Sequence, residues 1–241
     1  MSPRLRKYAK LLQTPACWPA LRHGVAGTLE HDAALGRDTF ATVTDVGANK
    51  GQFAVYARVR WPLARLICFE PLPAPRATLE RVTRGQAEIH DCALGAEPGE
   101  GRMHLATRTD SSSLLALGAR QKAIFGMEES GELRVPIKRL DACLTTPLPR
   151  PVLLKIDVQG FELEVLKGAT ALLPHIDAIY VEASYVELYE GQPLHEEIER
   201  YLTETGFILD GRYNTHVHQG EPVQADLLFR RAQPILDAAR L

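Results

Sequence analysis

Cysteine is scarce in this chain of 241 residues, and its four copies are far apart. They are Cys17, Cys68, Cys92 and Cys143, and no two of them form a Cys-x-x-Cys pair. This spacing argues against a disulfide scaffold and against a zinc site. Because Cys68 and Cys92 fall within apolar runs, the sequence predicts buried, reduced thiols.

Long apolar runs and a strong excess of one charge are also missing. No run approaches the roughly 18 apolar residues of a membrane-spanning helix. The formal net charge is −2, whereas a nucleic-acid-binding protein usually carries a basic excess or a basic stripe. The sequence therefore predicts a cytoplasmic protein without a nucleic-acid partner.

The N-terminal segment is basic, but it lacks the apolar stretch of about 7–15 residues that a secretory signal requires. Tyr8, Leu11 and Leu12 could form one face of a short basic helix. That face would contact either a membrane surface or the rest of the domain.

The length suits one α/β domain, with residues 1–40 as a partly helical cap and residues 41–241 as the main domain. From residue 41 onward, short apolar runs alternate with helical patterns, which indicates a parallel sheet with helices on both faces. The predicted strands cover residues 41–46, 65–70, 88–94, 152–157, 176–183, 207–209 and 223–229. An insertion over about residues 95–150 interrupts this alternation.

A glycine-containing turn, residues 45–51 (DVGANKG), follows the first predicted strand and opens a helix. Gly47 and Gly51 would let the chain turn sharply and let a ligand approach the backbone without meeting a Cβ. Asn49 belongs to the same turn, and the helix N-terminus offers free N–H groups to a polar ligand. Asp45 suits a ligand with an ammonium group, such as the methionine part of S-adenosylmethionine, and would repel a pyrophosphate. We therefore predict that these four residues bind the cofactor.

Carboxylates also stand at the next two predicted strand ends. Glu70 would accept hydrogen bonds from both ribose hydroxyls, since ligands of open α/β sheets bind at the carboxyl ends of strands. Asp91, placed in the third strand, would accept a hydrogen bond from an adenine amine. Both acids could instead be simple strand-end caps, and for Asp91 the sequence leaves the two interpretations open.

At this point the chain resembles the FkbM family of methyltransferases over about residues 42–230. The specific part of the resemblance is the block LKIDVQGFE at residues 154–162, continuing through LKG at 166–168. The glycine turn, Phe69-Glu70-Pro71 and the serine run at residues 111–113 contribute to it.

The resemblance implies a seven-stranded, Rossmann-like, mostly parallel sheet and S-adenosylmethionine as the methyl donor. It implies O-methylation of a hydroxyl on a sugar, a glycolipid or another small-molecule metabolite. Ser112 would help to bind the cofactor or shape the cleft. Family members frequently have Glu where this chain has Gln159, so we do not expect Gln159 to act as a base.

The catalytic candidates stand at the ends of the fourth and fifth strands. Asp157 would lie beside the transferred methyl group, either as the general base or as the residue that holds the acceptor hydroxyl. Glu182 would face the same cleft, or its carboxylate would be hydrogen-bonded to the backbone. The two acids could bind Mg²⁺, or one could be protonated while the other acts as base, so we assign no metal.

Three further side chains carry weaker predictions. Lys155 lies in a buried strand and is expected to form a structural ion pair, with Glu162 or Glu182 as candidate partners. His216 and His218 fall on one side of the chain if their segment is extended. One of them would then bind the acceptor or act as a base, or both would remain on the surface.

Two other functions compete with methyl transfer. A nicotinamide-dependent oxidoreductase would need a Gly-x-Gly-x-x-Gly turn, which the spacing of Gly47 and Gly51 does not provide. A catalytically inactive, cofactor-binding regulatory module would keep the turn and Glu70 but lose the acceptor side. Methylation of nucleic-acid base amines is disfavoured, because residues 157–160 read DVQG and lack the paired prolines typical of those enzymes.

Overall fold

A computed structural model of the chain describes residue 11 and residues 13–232. Tyr8 and Leu12, from the predicted basic helix, lie outside these residues, whereas Leu11 is buried. Within the described part of the chain, no helix is both long enough and apolar enough to cross a membrane. All four cysteines are free.

Ten strands form two sheets in the described residues. The strands are β1 (Thr42–Val46), β2 (Arg65–Phe69), β3 (Glu88–His90), β4 (Ala93–Leu94), β5 (Gly99–Ala106), β6 (Glu129–Lys138), β7 (Val152–Ile156), β8 (Ala178–Ser184), β9 (Phe207–His218) and β10 (Glu221–Arg231). The main sheet has the order β3-β2-β1-β7-β8-β10-β9, and β10 alone runs opposite to the other six strands. This arrangement confirms the predicted seven-stranded, mostly parallel sheet.

Helices cover both faces of the main sheet, as the buried parallel strands require. They are α1 (Trp18–Leu21), α2 (Asp32–Leu35), α3 (Gln52–Arg60), α4 (Pro73–Thr83), α5 (Ala119–Phe125), α6 (Leu140–Cys143), α7 (Glu162–Lys167) and α8 (His195–Glu204). The N-terminal segment, α3 and α4 bury their apolar side chains on one face, and α6, α7 and α8 bury theirs on the other. Every residue of β1 and β7 is buried between these two layers.

The insertion forms a small sheet of its own, in the order β4-β6-β5. The predicted third strand is therefore wrong in one respect, because the chain leaves the main sheet after His90 and joins the small sheet at Ala93. The exposed Asp91 lies in the break between β3 and β4. β9 and β10 are both longer than predicted, because each continues as an antiparallel ribbon beyond the apolar core.

The strand order changes direction between β1 and β7. In open α/β sheets the crevice at this point, above the carboxyl ends of the strands, is the usual ligand site. The fold thus brings the segments after β1, β2 and β7 to one edge of the sheet.

Candidate active site

A cavity of about 300 Å³ opens at the carboxyl ends of β1, β2 and β7. Its polar lining includes Asn49, Gln52, Glu70, Ser112 and Asp157. One wall is apolar and consists of Phe69, Pro71, Leu72, Cys92, Ala93, Leu94 and Met103. The cavity therefore combines an apolar slot, formed by this wall, with a set of polar side chains.

The two glycines of the turn have different roles in the structure. Gly47 lines the cavity with φ of 76°, and a Cβ there would collide with the carbonyl oxygen of Asp157. Gly51 has φ of 93° and lies away from the cavity lining, where a Cβ would come within 2.8 Å of Val82 on α4. Gly51 therefore allows α3 and α4 to pack closely, a role that the sequence analysis did not predict.

Glu70 is fastened to the glycine turn. Its carboxylate accepts one hydrogen bond from the Asn49 backbone N–H and another from the Leu72 backbone N–H, each at 2.8 Å. The side chain is 5% exposed and lines the cavity. Burial raises the pKa of Glu70 to about 7, although the two N–H donors act in the opposite direction.

Asp45 lies beneath the cavity rather than in its lining. Its side chain is fully buried, and Oδ1 is 2.9 Å from Lys155 Nζ. Burial alone would lower the pKa of Lys155, but Asp45 and Asp157 raise it above its ordinary value. The predicted ion pair of Lys155 is present with Asp45, and more distantly with Asp157 at 3.7 Å, instead of with Glu162 or Glu182.

Gln159 joins the two predicted catalytic acids. Its Nε2 donates to Asp157 at 2.6 Å and to Glu182 at 2.8 Å. Tyr189 donates to its Oε1 at 2.8 Å, and Gln121 donates to the Tyr189 hydroxyl at 2.7 Å. The Tyr189 hydroxyl also lies 3.0 Å from the Ser111 carbonyl oxygen. The amide nitrogen of Gln159 faces the two carboxyl groups because they accept hydrogen bonds from it.

The backbone at Gln159 supports this role. Gln159 has φ of 60°, in the left-handed region that non-glycine residues rarely adopt. The Gly160 that follows, in a segment ending a buried strand, was the only sequence signal of such a turn. We excluded Gln159 as a base, but the structure makes it the residue that orients Asp157 and Glu182.

The surroundings of the half-buried Glu182 shift its pKa strongly. Burial raises the pKa of Glu182 well above its ordinary value, and the negative charge of Asp157 acts in the same direction. The pKa of Glu182 is thus shifted in the direction that a protonated acid at this position requires.

Glu162, the first residue of α7, holds the loop that carries Asp157 and Gln159. Its Oε1 accepts hydrogen bonds from the Val158 N–H at 3.1 Å and from the Gly160 N–H at 3.0 Å. Burial raises the pKa of Glu162 to about 7.

We expect Glu162→Ala to destabilise the protein by about 1–3 kcal/mol, because two loop N–H groups lose their acceptor in a buried position. Thermal or urea unfolding measures this change. The matched control is Glu164→Ala in the same helix, whose Lys167 ion pair lies on the surface and contributes little. Equal unfolding free energies for the two variants would contradict the structural role of Glu162.

The insertion contributes a short segment to the cavity. Ser112 is part of the lining, and its Oγ accepts a hydrogen bond from the Ala106 N–H at 3.2 Å. Ser113 donates to the Gln159 carbonyl oxygen at 2.6 Å and so supports the loop that carries Asp157 and Gln159. Asp91 is not brought to the cavity, whereas its neighbour Cys92 lines it.

A second cavity of about 290 Å³ adjoins the first. Thr28, His31 and Asp157 line both cavities and mark the place where they meet. The remaining lining of the second cavity is Glu30, Glu182, Asn214, His216, Gln224, Ala225 and Asp226. His216 thus reaches the site, whereas His218 is not part of this lining.

The sequence analysis missed Thr28, His31, Asn214 and Asp226. They come from the N-terminal segment and from the ribbon of β9 and β10, which carry no recognisable motif. Only the tertiary structure brings them to Asp157.

The residues of the first cavity fit S-adenosylmethionine, the donor that the resemblance implies. Asn49 Oδ1 and Thr28 Oγ1 are buried and make no hydrogen bond with any described residue, so they are available to polar groups of a ligand. The Glu70 carboxylate retains lone pairs for two ribose hydroxyls after accepting its two N–H groups. The apolar slot beside Cys92 and Ala93 suits an adenine ring.

The chain is similar to several known methyltransferases. Methyltransferase 1 of Beauveria bassiana is 29% identical over 144 residues, which are 52% of this chain and 57% of that protein. The 2-O-methyltransferase NoeI of Sinorhizobium fredii is 27% identical over 202 residues, 80% of each chain. The hexuronic acid methyltransferase AglP of Haloferax volcanii is 27% identical over 188 residues, 70% of each chain.

The family model of the methyltransferase FkbM domain matches residues 45–209. This range begins at the glycine turn and includes Glu70, Asp157, Gln159 and Glu182. It covers well over half of the 241 residues. The chain therefore belongs to the FkbM family of S-adenosylmethionine-dependent methyltransferases.

Proposed function

We propose that this protein transfers a methyl group from S-adenosylmethionine to a hydroxyl oxygen of an uncharged sugar, free or as part of a glycolipid. The observation that carries the proposal is the junction of the two cavities at Asp157. The first cavity suits the donor, and the second presents hydrogen-bonding side chains to an acceptor. The name of AglP, a hexuronic acid methyltransferase, supports a sugar as acceptor, and that of NoeI, a 2-O-methyltransferase, supports transfer to oxygen.

The charges of the second cavity favour an uncharged acceptor. Four carboxyl side chains line it: Glu30, Asp157, Glu182 and Asp226. Carboxylates accept hydrogen bonds from sugar hydroxyls, whereas the carboxylate of a uronic acid would be repelled by them. We therefore expect this protein to differ from AglP in its acceptor.

Each group of side chains has a distinct role in this proposal. Glu70 and Asn49 hold the ribose side of the donor, and the apolar slot holds its adenine. When bound, S-adenosylmethionine supplies a methyl group that is activated by its positive sulfur. Asp157 and Glu182, oriented by Gln159, hold the acceptor hydroxyl in line with that methyl group, and such alignment contributes strongly to the rate.

Thermal unfolding with S-adenosylmethionine, S-adenosylhomocysteine and NAD tests the donor site. A ligand at about 100 times its dissociation constant should stabilise the folded state by about 2.7 kcal/mol. We expect stabilisation by the two sulfur compounds and none by NAD. Stabilisation by NAD alone would favour the oxidoreductase. If none of the three compounds raised the unfolding temperature, the donor site would be contradicted.

An acceptor panel tests the rest of the proposal. The protein is incubated with methyl-labelled S-adenosylmethionine and with paired methyl glycosides of a neutral hexose and the corresponding uronic acid. We expect label in the neutral glycosides, in an alkali-stable ether rather than an ester. Label only in the uronic acids would overturn the acceptor class. Donor binding without transfer to any acceptor would favour the inactive regulatory module.

A further inference from the structure

His31 occupies the junction of the two cavities. It ends a short 3-10 turn, Leu29–His31, in the N-terminal segment. The ring packs edge-on against Phe53 and Tyr180, each with a centroid distance of 5.3 Å. An imidazole at this place is fixed in orientation and also open to the site, since it lines both cavities.

One ring nitrogen of His31 is committed to a polar cluster. Nδ1 lies 3.0 Å from the Tyr180 hydroxyl and 3.5 Å from Asp226 Oδ2. The same Asp226 oxygen accepts hydrogen bonds from Tyr180 at 2.8 Å and from Asn214 at 2.7 Å. Burial alone would raise the pKa of Asp226, but the groups around it, His31 first, lower it below its ordinary value.

This cluster favours the tautomer of His31 with its proton on Nδ1. The single hydroxyl proton of Tyr180 goes to the ionised Asp226, so the phenol oxygen accepts hydrogen bonds, from His31 Nδ1 at 3.0 Å and from Asn214 Nδ2 at 3.2 Å. Asn214 Nδ2 also lies 3.4 Å from His31 Nδ1, but its shorter contacts are with Asp226 and Tyr180. A neutral imidazole that donates through Nδ1 has its lone pair on Nε2. Nε2 makes no hydrogen bond or ion pair with the residues that the structure describes.

Asp157 is differently situated at the same junction. Its Oδ1 accepts a hydrogen bond from Gln159, and its Oδ2 faces the ammonium group of Lys155. Both oxygens thus already have partners, which suits a residue that holds a hydroxyl. Among the described residues that line both cavities, His31 offers through Nε2 a base without a partner.

We propose that His31 is the general base that takes the proton of the acceptor hydroxyl through Nε2, and that Asp226 and Tyr180 are its positioning residues. This assignment rests on the proposed function. The O–H bond breaks and an Nε2–H bond forms, while the oxygen bonds to the methyl carbon and the electron pair of the breaking carbon–sulfur bond goes to sulfur. The ionised Asp226 stabilises the resulting imidazolium, which returns its proton to solvent.

The proposed base lies outside the part of the chain that the family model matches. His31 precedes residues 45–209 and Asp226 follows them. Glu70 and Asn49, which face the donor, therefore belong to the matched domain. The base and its positioning residue Asp226 come from the two flanking segments.

Kinetics of methyl transfer to the neutral glycosides are the first test. We expect His31→Ala and His31→Gln each to lower kcat by about 10²–10⁴-fold, the usual contribution of a general base. The Gln variant retains polar bulk if Ala disturbs the aromatic packing. KM for the glycoside and Kd for S-adenosylmethionine should stay within about threefold of the wild type, since a lost base affects the chemical step. The matched control, His23→Ala, replaces an exposed histidine of the same segment and should leave kcat unchanged.

Asp226→Asn should lower kcat more than it changes KM, because the tautomer of His31 is no longer enforced while the introduced amide can still hydrogen-bond the acceptor. Wild-type kcat in both His31 variants would overturn the proposal while leaving the methyltransferase function intact.

Nitrogen-15 NMR of the imidazole provides a readout that needs no acceptor. With S-adenosylhomocysteine bound at pH 8, we expect His31, assigned by its loss in His31→Gln, to carry its proton on Nδ1. Asp226→Asn should increase the Nε2-protonated form. If no glycoside is methylated, the proposed function fails, but the tautomer of His31 can still be measured. A proton on Nε2 would overturn the assignment of His31 as a base, and an unprotonated Nε2 would support it.

Discussion

Asp157→Asn should lower turnover by roughly 10²-fold and leave the affinity for S-adenosylmethionine nearly unchanged. The substitution preserves the shape of the side chain and its hydrogen bond from Gln159. It replaces Oδ2, which faces Lys155 Nζ at 3.7 Å, by an N–H donor that cannot accept a hydrogen bond from the acceptor hydroxyl. The methyl acceptor would then be held out of line, which affects the transferring complex more than the bound donor.

Steady-state kinetics with a neutral glycoside and calorimetric titration with S-adenosylhomocysteine measure the two quantities. The control is Glu204→Gln, which neutralises an exposed carboxylate at the end of α8. An equal loss of turnover and of donor affinity in a folded Asp157→Asn protein would remove Asp157 from the acceptor site. Comparison with the His31 variants then separates the residue that holds the hydroxyl from the residue that takes its proton.

Glu70→Ala should weaken the binding of S-adenosylmethionine by about 10–100-fold, the cost of losing hydrogen bonds to a charged acceptor. The carboxylate is buried in the donor cavity and also fastens the Asn49 and Leu72 backbone N–H groups. The variant therefore loses both the hydrogen-bond partner of the ribose and the acceptor of these two backbone N–H groups. Calorimetric titration measures the affinity, and thermal unfolding without ligand shows whether the protein is folded.

Two comparisons make the Glu70 prediction specific. Glu80→Ala, an exposed carboxylate on α4, should bind the donor like the wild type. Unchanged affinity in Glu70→Ala would remove Glu70 from the ribose role.

The acidity of Glu70 gives a further expectation. Burial raises the pKa of Glu70 to about 7, and the ribose hydroxyls donate to its ionised form. Affinity should therefore rise with pH through neutrality, by up to about tenfold between pH 6 and pH 8. Titrations of the wild type and Glu70→Gln at both pH values check this expectation, because the Gln variant lacks the titrating group.

The donor side of the site was largely readable in the sequence. A turn such as DVGANKG between a buried strand and a helix has few folded solutions, and the carboxyl ends of parallel strands always share one edge of the sheet. These local rules brought Gly47, Asn49 and Glu70 together correctly. The same rules placed Asp91 wrongly. Nothing in the apolar run at residues 88–94 indicated that the chain changes sheets between His90 and Ala93.

Buried charge was harder to predict. The sequence placed Asp45 at a strand end, but not whether its carboxylate would face a ligand or another side chain. Lys155 stands beside Asp45 in the register of β1 and β7. A buried ammonium group requires an opposite charge, so Lys155, which lines the cavity, pairs with the fully buried Asp45 at 2.9 Å.

The sequence by itself determined the fold class, the family and the donor edge of the sheet, because strand and helix periodicities and the glycine turn depend on residues that are close together in the chain. Only the tertiary structure decided which side chains meet at the acceptor. His31 and Asp226 are far apart in the sequence and lie 3.5 Å apart in space, and Gln159 contacts both acids only because β7 and β8 are neighbours. Such contacts depend on how the N-terminal segment and the ribbon of β9 and β10 pack against the sheet, and no local pattern encodes that packing.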